Sequence, residues 1–388
     1  MDEKTKKPNL ILRLLAFLVT LVLIAGAIFL IAHRDRLNLD ALKRWFAYRS
    51  LERSDTGQAE SFPYSSSSTD VFAALGKDLL VCSAGGVRLY SGSGTCYVED
   101  VISLDSPMVD VCGDAAAVWS AGGSAVYLYR DRTQYGSLTG LDGTLISARL
   151  NSSGWLAVTT RESGYKAVVT VYDSDLNRRM AFRLSSSFVS DAVVTEDQKS
   201  LAVVTVGQSG AAFESTLSFY ALPTGQSADI DYDLTPNEIV SLGNNVILDL
   251  KLGNAIWCLG DAGVSAWNGT GSGSWSYQDL YLKNYAFSDS FAAVLVGKYR
   301  AGSQAELYTI DDKGVPSTGR VINEQVLSLS AAGRYVAVLT ADRLDIYTQD
   351  LDPYKSLEGT NGARRVLMRD DGTALLIGSG TANLYVPN

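Results

Sequence analysis

GDAAAVWSAGGSAVYLY (Gly113–Tyr129) and GNAIWCLGDAGVSAW (Gly253–Trp267) follow one plan. A glycine opens a turn, a continuous apolar run follows, a second short turn intervenes, and another run ends in an aromatic residue. The closing run recurs along the chain as VRLY (Val87–Tyr90), VYLY (Val126–Tyr129), VTVY (Val169–Tyr172) and LSFY (Leu217–Tyr220). It returns as VSAW (Val264–Trp267), AELY (Ala305–Tyr308), LDIY (Leu344–Tyr347) and ANLY (Ala382–Tyr385). Successive aromatics stand 38 to 48 residues apart.

That period suits a blade of four antiparallel strands, which takes roughly 40–45 residues. Runs such as Ala115–Trp119, Leu201–Val206 and Val336–Leu339 lack polar alternation. A strand buried on both faces reads this way, and a middle strand lying between two neighbouring blades is buried so. In the φ-x-φ-Tyr runs the aromatic has the opposite parity to the aliphatic pair. It therefore packs on one neighbour while they pack on the other. The reading is all-β: an eight-bladed β-propeller.

The ends test this. Seven units continue past their aromatic into a further strand, whereas the eighth stops at Asn388, three residues after Tyr385. Ala59–Ser66 precedes the first unit and is assigned the missing outer strand, so residues 59–388 close as one ring. Pro63 is acceptable there, because an outermost strand has an unpaired edge. Between Asp229 and Leu250 two alignments compete. Val246–Leu250 is read as the inner strand of the fifth blade, with Glu238–Leu242 as the outer strand of the fourth. A seven-bladed ring with one irregular insert is the alternative.

Upstream, residues 1–13 form a polar tail and Leu14–Ala32 is an uncharged run of 19 residues, read as a transmembrane helix. The small cluster Ala25-Gly26-Ala27 lies inside this run rather than after it, which favours an anchor over a cleaved leader. Residues 33–58 hold an amphipathic juxtamembrane helix, expected over 38–53 with Asn38 as its cap, and a linker. Its apolar stripe is Leu39, Leu42, Trp45 and Phe46. The stripe suits either the bilayer surface or the underside of the ring. A literal count of Lys and Arg around the span places the C-terminal domain in the cytoplasm. The signal-anchor arrangement, and a domain with eight lysines after residue 53, point to an extracytoplasmic propeller, which is the expectation taken.

Charge and composition exclude whole classes of chemistry. The net charge of −9 divides into +5 over residues 1–53 and −14 beyond. An acidic main domain does not suit nucleic acid. The one histidine, His33, stands at the border of the apolar run, so the main domain has no Ser-His-Asp or Cys-His pair and no His-ligated zinc. Cys82 and Cys96 fall on the second and fourth strands of one blade, too far apart to bridge. With Cys112 and Cys258 they are expected to be free thiols, which sits uneasily with a strongly oxidising compartment.

Several motifs suggest sites and reduce to structure. Asp173–Asn177 begins like a calcium loop, but Arg178 stands where glycine is required and Leu184 where glutamate is. It reads as a hairpin turn. Asp229, Asp231 and Asp233 alternate and read as an acidic sheet edge. Asn268–Gly273 is glycine-rich but precedes a strand rather than a helix, so it is a tight turn and not a phosphate loop. Arg364, Arg365 and Arg369 read as a small solvated basic patch.

The anchor, TGQAESFPY (Thr56–Tyr64), LLVCSAGGVRLYS (Leu79–Ser91) and the repeats together resemble a family of uncharacterised membrane-anchored propeller proteins of Gram-positive bacteria. The resemblance covers essentially the whole chain and implies a single-pass anchor but no assigned activity. WD-repeat proteins are a looser likeness, because their Gly-His and Trp-Asp signatures are missing. No catalytic, cofactor-binding or metal-ligating residue is expected, and no cofactor. The expected role is a non-enzymatic binding or scaffold module at the cell surface, with an unidentified protein or glycan partner. Two alternatives stand beside it. One is an enzyme, either carboxylate-dependent and glycan-processing or quinone-dependent; YALPTGQ (Tyr220–Gln226) is similar to the quinone repeat, without its docking tryptophans. The other is an accessory subunit of a membrane complex.

Overall fold

A computed structural model describes residues 10–32, 39–67, 69–210, 212–223, 228–230, 235–360 and 362–387. The chain divides into two compact units, Met1–Leu51 and Glu52–Asn388.

In the first unit, helix α1 runs Leu10–Ala32 and α2 runs Leu39–Tyr48. The described side chains of α1 are Leu14, Leu15 and those of residues 17–26, all exposed. Among the described residues, no helix is long and apolar enough to cross a membrane. Helix α2 is shorter than the expected 38–53, and its expected cap, Asn38, lies outside the described residues, as does His33. The helix stops at Tyr48, whose carbonyl accepts a bond from Leu51. Farther on, Arg53 leaves helical geometry and pairs in a bridge with Ala59.

The second unit is an eight-bladed β-propeller: each blade has four antiparallel strands, in chain order except in blade 8, whose outer strand comes from before blade 1, and blade 3 carries a fifth strand. The first strands of blades 1 to 8 are Val71–Leu75, Pro107–Cys112, Thr144–Leu150, Phe188–Val194, Ile247–Leu252, Tyr281–Phe287, Ser328–Ala332 and Arg365–Met368. First strands of successive blades approach one another around nearly the whole ring, so they line its axis. The second strands, such as Asp78–Ser83, Ala292–Gly297 and Tyr335–Leu339, are buried along their length, as their unbroken apolar runs require.

All eight repeated aromatics end up on third strands, and their parity works as expected. Tyr129 joins the core shared with blade 1, Tyr172 that with blade 2, Tyr220 that with blade 3, Tyr347 that with blade 6 and Tyr385 that with blade 7. The Trp267 ring lies 4.2 Å from Phe219 of blade 4, and Tyr308 lies 4.7 Å from Trp275 of blade 5. Each aromatic reaches back to the preceding blade. Tyr90 of blade 1 does the same across the seam, 6.1 Å from Phe62.

Phe62–Pro63 pairs antiparallel with Thr381–Tyr385 and completes blade 8 as its outer strand. Around this short ladder, Ala59 donates to Leu384, Val386 to Gly57 and Tyr64 to Gly380. The Tyr64 hydroxyl donates to the Gly378 carbonyl at 2.8 Å. Gly94 must remain glycine at this seam: its φ is +87°, and an added Cβ would lie 2.4 Å from Cβ of Phe62.

Blade 5 begins where the sequence places it, and Glu238–Gly243 is the outer strand of blade 4. The preceding insert was legible only in part. Ala228–Ile230 adds to the outer strand of blade 3, Arg178–Leu184, as a fifth and parallel strand. Of the predicted acidic edge, only the backbone of Asp229 is described; Asp231 and Asp233 lie outside the described residues.

Candidate functional site

The first strands of blades 3 to 6 share an irregularity. Their pairing with the second strand slips by one residue between Leu145 and Ser147, Val189 and Asp191, Ile247 and Asp249, and Leu282 and Asn284. Such bulges re-aim the residue that follows and free a backbone group. Three of these residues satisfy the freed donor themselves: Asp191 accepts from Ala192 N–H, Asp249 from Leu250 and Asn284 from Tyr285.

The result is a polar layer built from five blades. At its centre the largely buried Arg149, its side chain 15% exposed, donates to Asp191 through Nε at 2.9 Å and Nη2 at 2.6 Å. The same Nη2 reaches Asp249 Oδ1 at 2.5 Å, and Nη1 reaches Asp110 at 3.3 Å. The Leu150 N–H donates to the other oxygen of Asp110, and the Tyr285 hydroxyl donates to Asp249 at 3.2 Å. A buried charge persists only when paired in this way. Burial is the largest influence on Asp191 and lifts its carboxyl above the ordinary range, against the charge and hydrogen bond of Arg149, which pull it down. For Arg149, burial favours the neutral form, but three carboxylates outweigh it and hold the guanidinium charged.

Three carboxylates therefore meet at the axis, and a close carboxylate pair is what glycoside hydrolysis needs. Here a guanidinium nitrogen separates Asp191 from Asp249, where a sugar and its attacking water would have to stand. The layer is a clamp between blades, not an open acid–base pair.

One level along the same strands, about 7 Å for two residues, a cavity of about 430 Å³ opens at the axis. Its walls combine small first-strand residues, among them Ala73, Ala74, Ser330 and Ala331, with the larger Phe287, Leu367 and Met368 and the turn residues Gly76 and Gly333. Lys251 and Arg369 also line it, as do Asp289 and Asp370. The Lys251 ammonium donates to the Val111 carbonyl at 2.5 Å. Arg369 is buried and donates to the Lys77 carbonyl. The expected basic patch therefore divides: Arg364 and Arg365 are exposed, while Arg369 turns into the ring. Its place just past the apolar strand Arg365–Met368 was the available signal, since it falls where the chain folds back at the axis.

The thiols are poor nucleophiles. Burial pushes both Cys82 and Cys112 up to about 12, the latter despite the nearby Lys251 charge. Burial also raises Cys258 and, to a lesser extent, the exposed Cys96. Asp173–Asn177 is a turn in which the Asp173 carboxylate accepts from the N–H groups of Asp175 and Asn177. Asn268 closes the Asn268–Gly273 turn similarly, through Thr270 and Gly271. Among the described residues no cluster of three His, Cys, Asp or Glu is placed to hold a metal.

Comparison with known proteins agrees with this architecture. Residues 51–358 match a family described as a family of unknown function (DUF5711). No curated protein matches the chain. Among solved structures the chain is similar to the C-terminal WD40 domain of Sif2, with a TM-score of 0.54 and 11% identity over 80% of this chain and 93% of that one. It is also similar to the Neurospora crassa Pan2 WD40 domain (TM-score 0.47, 10% identity, 86% and 97% covered). A streptogramin B lyase gives 0.45 and 11% identity, with 86% and 100% covered. At these identities the likeness shows the fold alone.

Proposed function

We propose that this chain, which belongs to the family of unknown function DUF5711, is a non-enzymatic binding module that uses the axial cavity of its propeller and is tethered to a membrane. The observation that carries this reading is the engagement of the axial carboxylates: Asp110, Asp191 and Asp249 each give one oxygen to Arg149, and the other oxygens accept from Leu150 N–H, Ala192 N–H and the Tyr285 hydroxyl. What remains accessible at the axis is a walled space with charged groups, which favours holding a ligand over transforming one.

The tether rests on sequence. Leu14–Ala32 is an uncharged run of 19 residues, a length that fits a hydrocarbon core of about 30 Å. The absence of a helix long and apolar enough to cross a membrane holds for the described residues, which leave out the side chains of Ala16 and of residues 27–32. The propeller is placed outside the cell, where a Ser-, Gly- and Thr-rich, lysine-poor surface is at home.

Two measurements test the reading. Purified full-length chain, extracted in mild detergent, should retain a ligand or partner and show no turnover on a broad panel of glycosidase and dehydrogenase substrates; turnover would overturn the binding role. Protease added to intact cells should digest the propeller, and protection that ends only on lysis would place it in the cytoplasm.

A further inference from the structure

Charge is distributed unevenly over the walls of the axial cavity. Arg369 is 3% exposed and Lys251 is half-buried, whereas Asp289 and Asp370 are exposed. Positive charge lies deep and negative charge at the rim. Among the described residues Lys251 makes no ion pair. Its ammonium has three donors, and the Val111 carbonyl takes one of them. Two donors of a half-buried cation are thus left beside an open volume, an arrangement that favours a negatively charged acceptor. The exposed carboxylates of Asp289 and Asp370 are likewise in no ion pair among the described residues, and they favour a cation at the mouth.

A purely anionic ligand would meet the rim carboxylates on entry and the acidic layer of Asp110, Asp191 and Asp249 beneath. A purely cationic one would meet Lys251 and Arg369. A molecule carrying both charges offers an acceptor to Lys251 and a donor to the carboxylates that line the same cavity. About 430 Å³ lies within the roughly 300–1,000 Å³ typical of small-molecule sites.

We propose that the axial cavity binds a small zwitterion of amino-acid type, its carboxylate on Lys251 and its ammonium between Asp289 and Asp370. This rests on the binding-module reading and supplies its ligand class.

The test is isothermal titration of full-length chain in mild detergent with glycine, serine, glutamine, leucine and phenylalanine, against sodium acetate and methylammonium chloride at matched ionic strength. At least one amino acid should bind, and neither singly charged probe should. Lys251→Met should weaken that binding by at least about tenfold, the scale of one lost charge-assisted hydrogen bond. If Lys251→Met fails to fold by circular dichroism, the exposed pair Asp289→Asn and Asp370→Asn serves instead and should weaken binding comparably. Absence of heat with all five amino acids, binding reproduced by acetate, or full affinity in the variants would overturn the proposal. Recovery of a macromolecular partner by a chain deaf to amino acids would overturn this inference alone, whereas turnover of the bound amino acid would overturn the binding-module reading itself.

Discussion

The two sides of the ring solve the same problem differently. Blades 3 to 6 carry a bulge in every first strand, and their axial positions hold Ser147, Asp191, Asp249 and Asn284. Blades 7, 8, 1 and 2 pair their first strands without a slip. Blades 1 and 7 offer Ala73, Ala74, Ser330 and Ala331 to the axis. On the bulged side, Arg149, Asp191 and Asp249 fill one level of the axis and, with Asp110 of the unbulged blade 2, tie blades together through side chains. On the regular side, small residues leave the centre open and packing between blades carries the load. The lesson is that eight near-identical sheets produce one asymmetric cavity, because a single inserted residue per strand decides which side chains reach the axis.

Removing the clamp should have the largest effect. Arg149→Met leaves the buried Asp110 and Asp191 and the partly exposed Asp249 without their cation, at a cost of about 3–5 kcal/mol, measurable by urea denaturation. If the variant keeps wild-type stability, the charged side of the ring is not held by charge.

The second prediction compares packing. Ala116 in the second strand of blade 2 is fully buried, and Ala116→Leu should cost about 1–3 kcal/mol by overpacking. Ala74→Leu, at the half-buried cavity wall, should cost under about 1 kcal/mol. Equal penalties in thermal melts would mean the open side is as tightly filled as the core.

The smallest effect is on pH. The raised carboxyl of Asp191 prefers its proton in the folded state. Its contribution to stability is complete below the unfolded value of about 3.9 and is lost as pH rises through the folded one. Melting temperature of the wild type should therefore fall relative to Asp191→Asn as pH climbs from about 4, and parallel curves for the two would remove Asp191 from the pH response.

The blades were legible because their signals are local. A glycine turn, an unbroken apolar run and an aromatic terminus lie within one unit, and the missing eighth outer strand was visible as an unassigned segment at Ala59–Ser66. The clamp was not, because Arg149 meets Asp110, Asp191 and Asp249 across separations of 39, 42 and 100 residues. Each partner looks unremarkable alone: one acidic residue in a mostly apolar first strand, as in PMVDVC (Pro107–Cys112), FVSDAVV (Phe188–Val194) or ILDLKL (Ile247–Leu252). That recurring anomaly was the signal, and it becomes readable only once the strands are known to converge. The parallel strand Ala228–Ile230 left no trace, since three residues are too few for a period.

The seam at Phe62–Pro63 also sets how the ring meets mechanical load. Tension on the chain before Gly57 enters through the ladder that Gly57–Tyr64 forms with Gly380–Val386, so blade 8 is the first to feel a pull. That ladder cannot bear tension until Gly380–Val386 has been synthesised and docked, because the partners are more than 300 positions apart. The ring therefore becomes able to resist force from its N-terminal side only when it is finished.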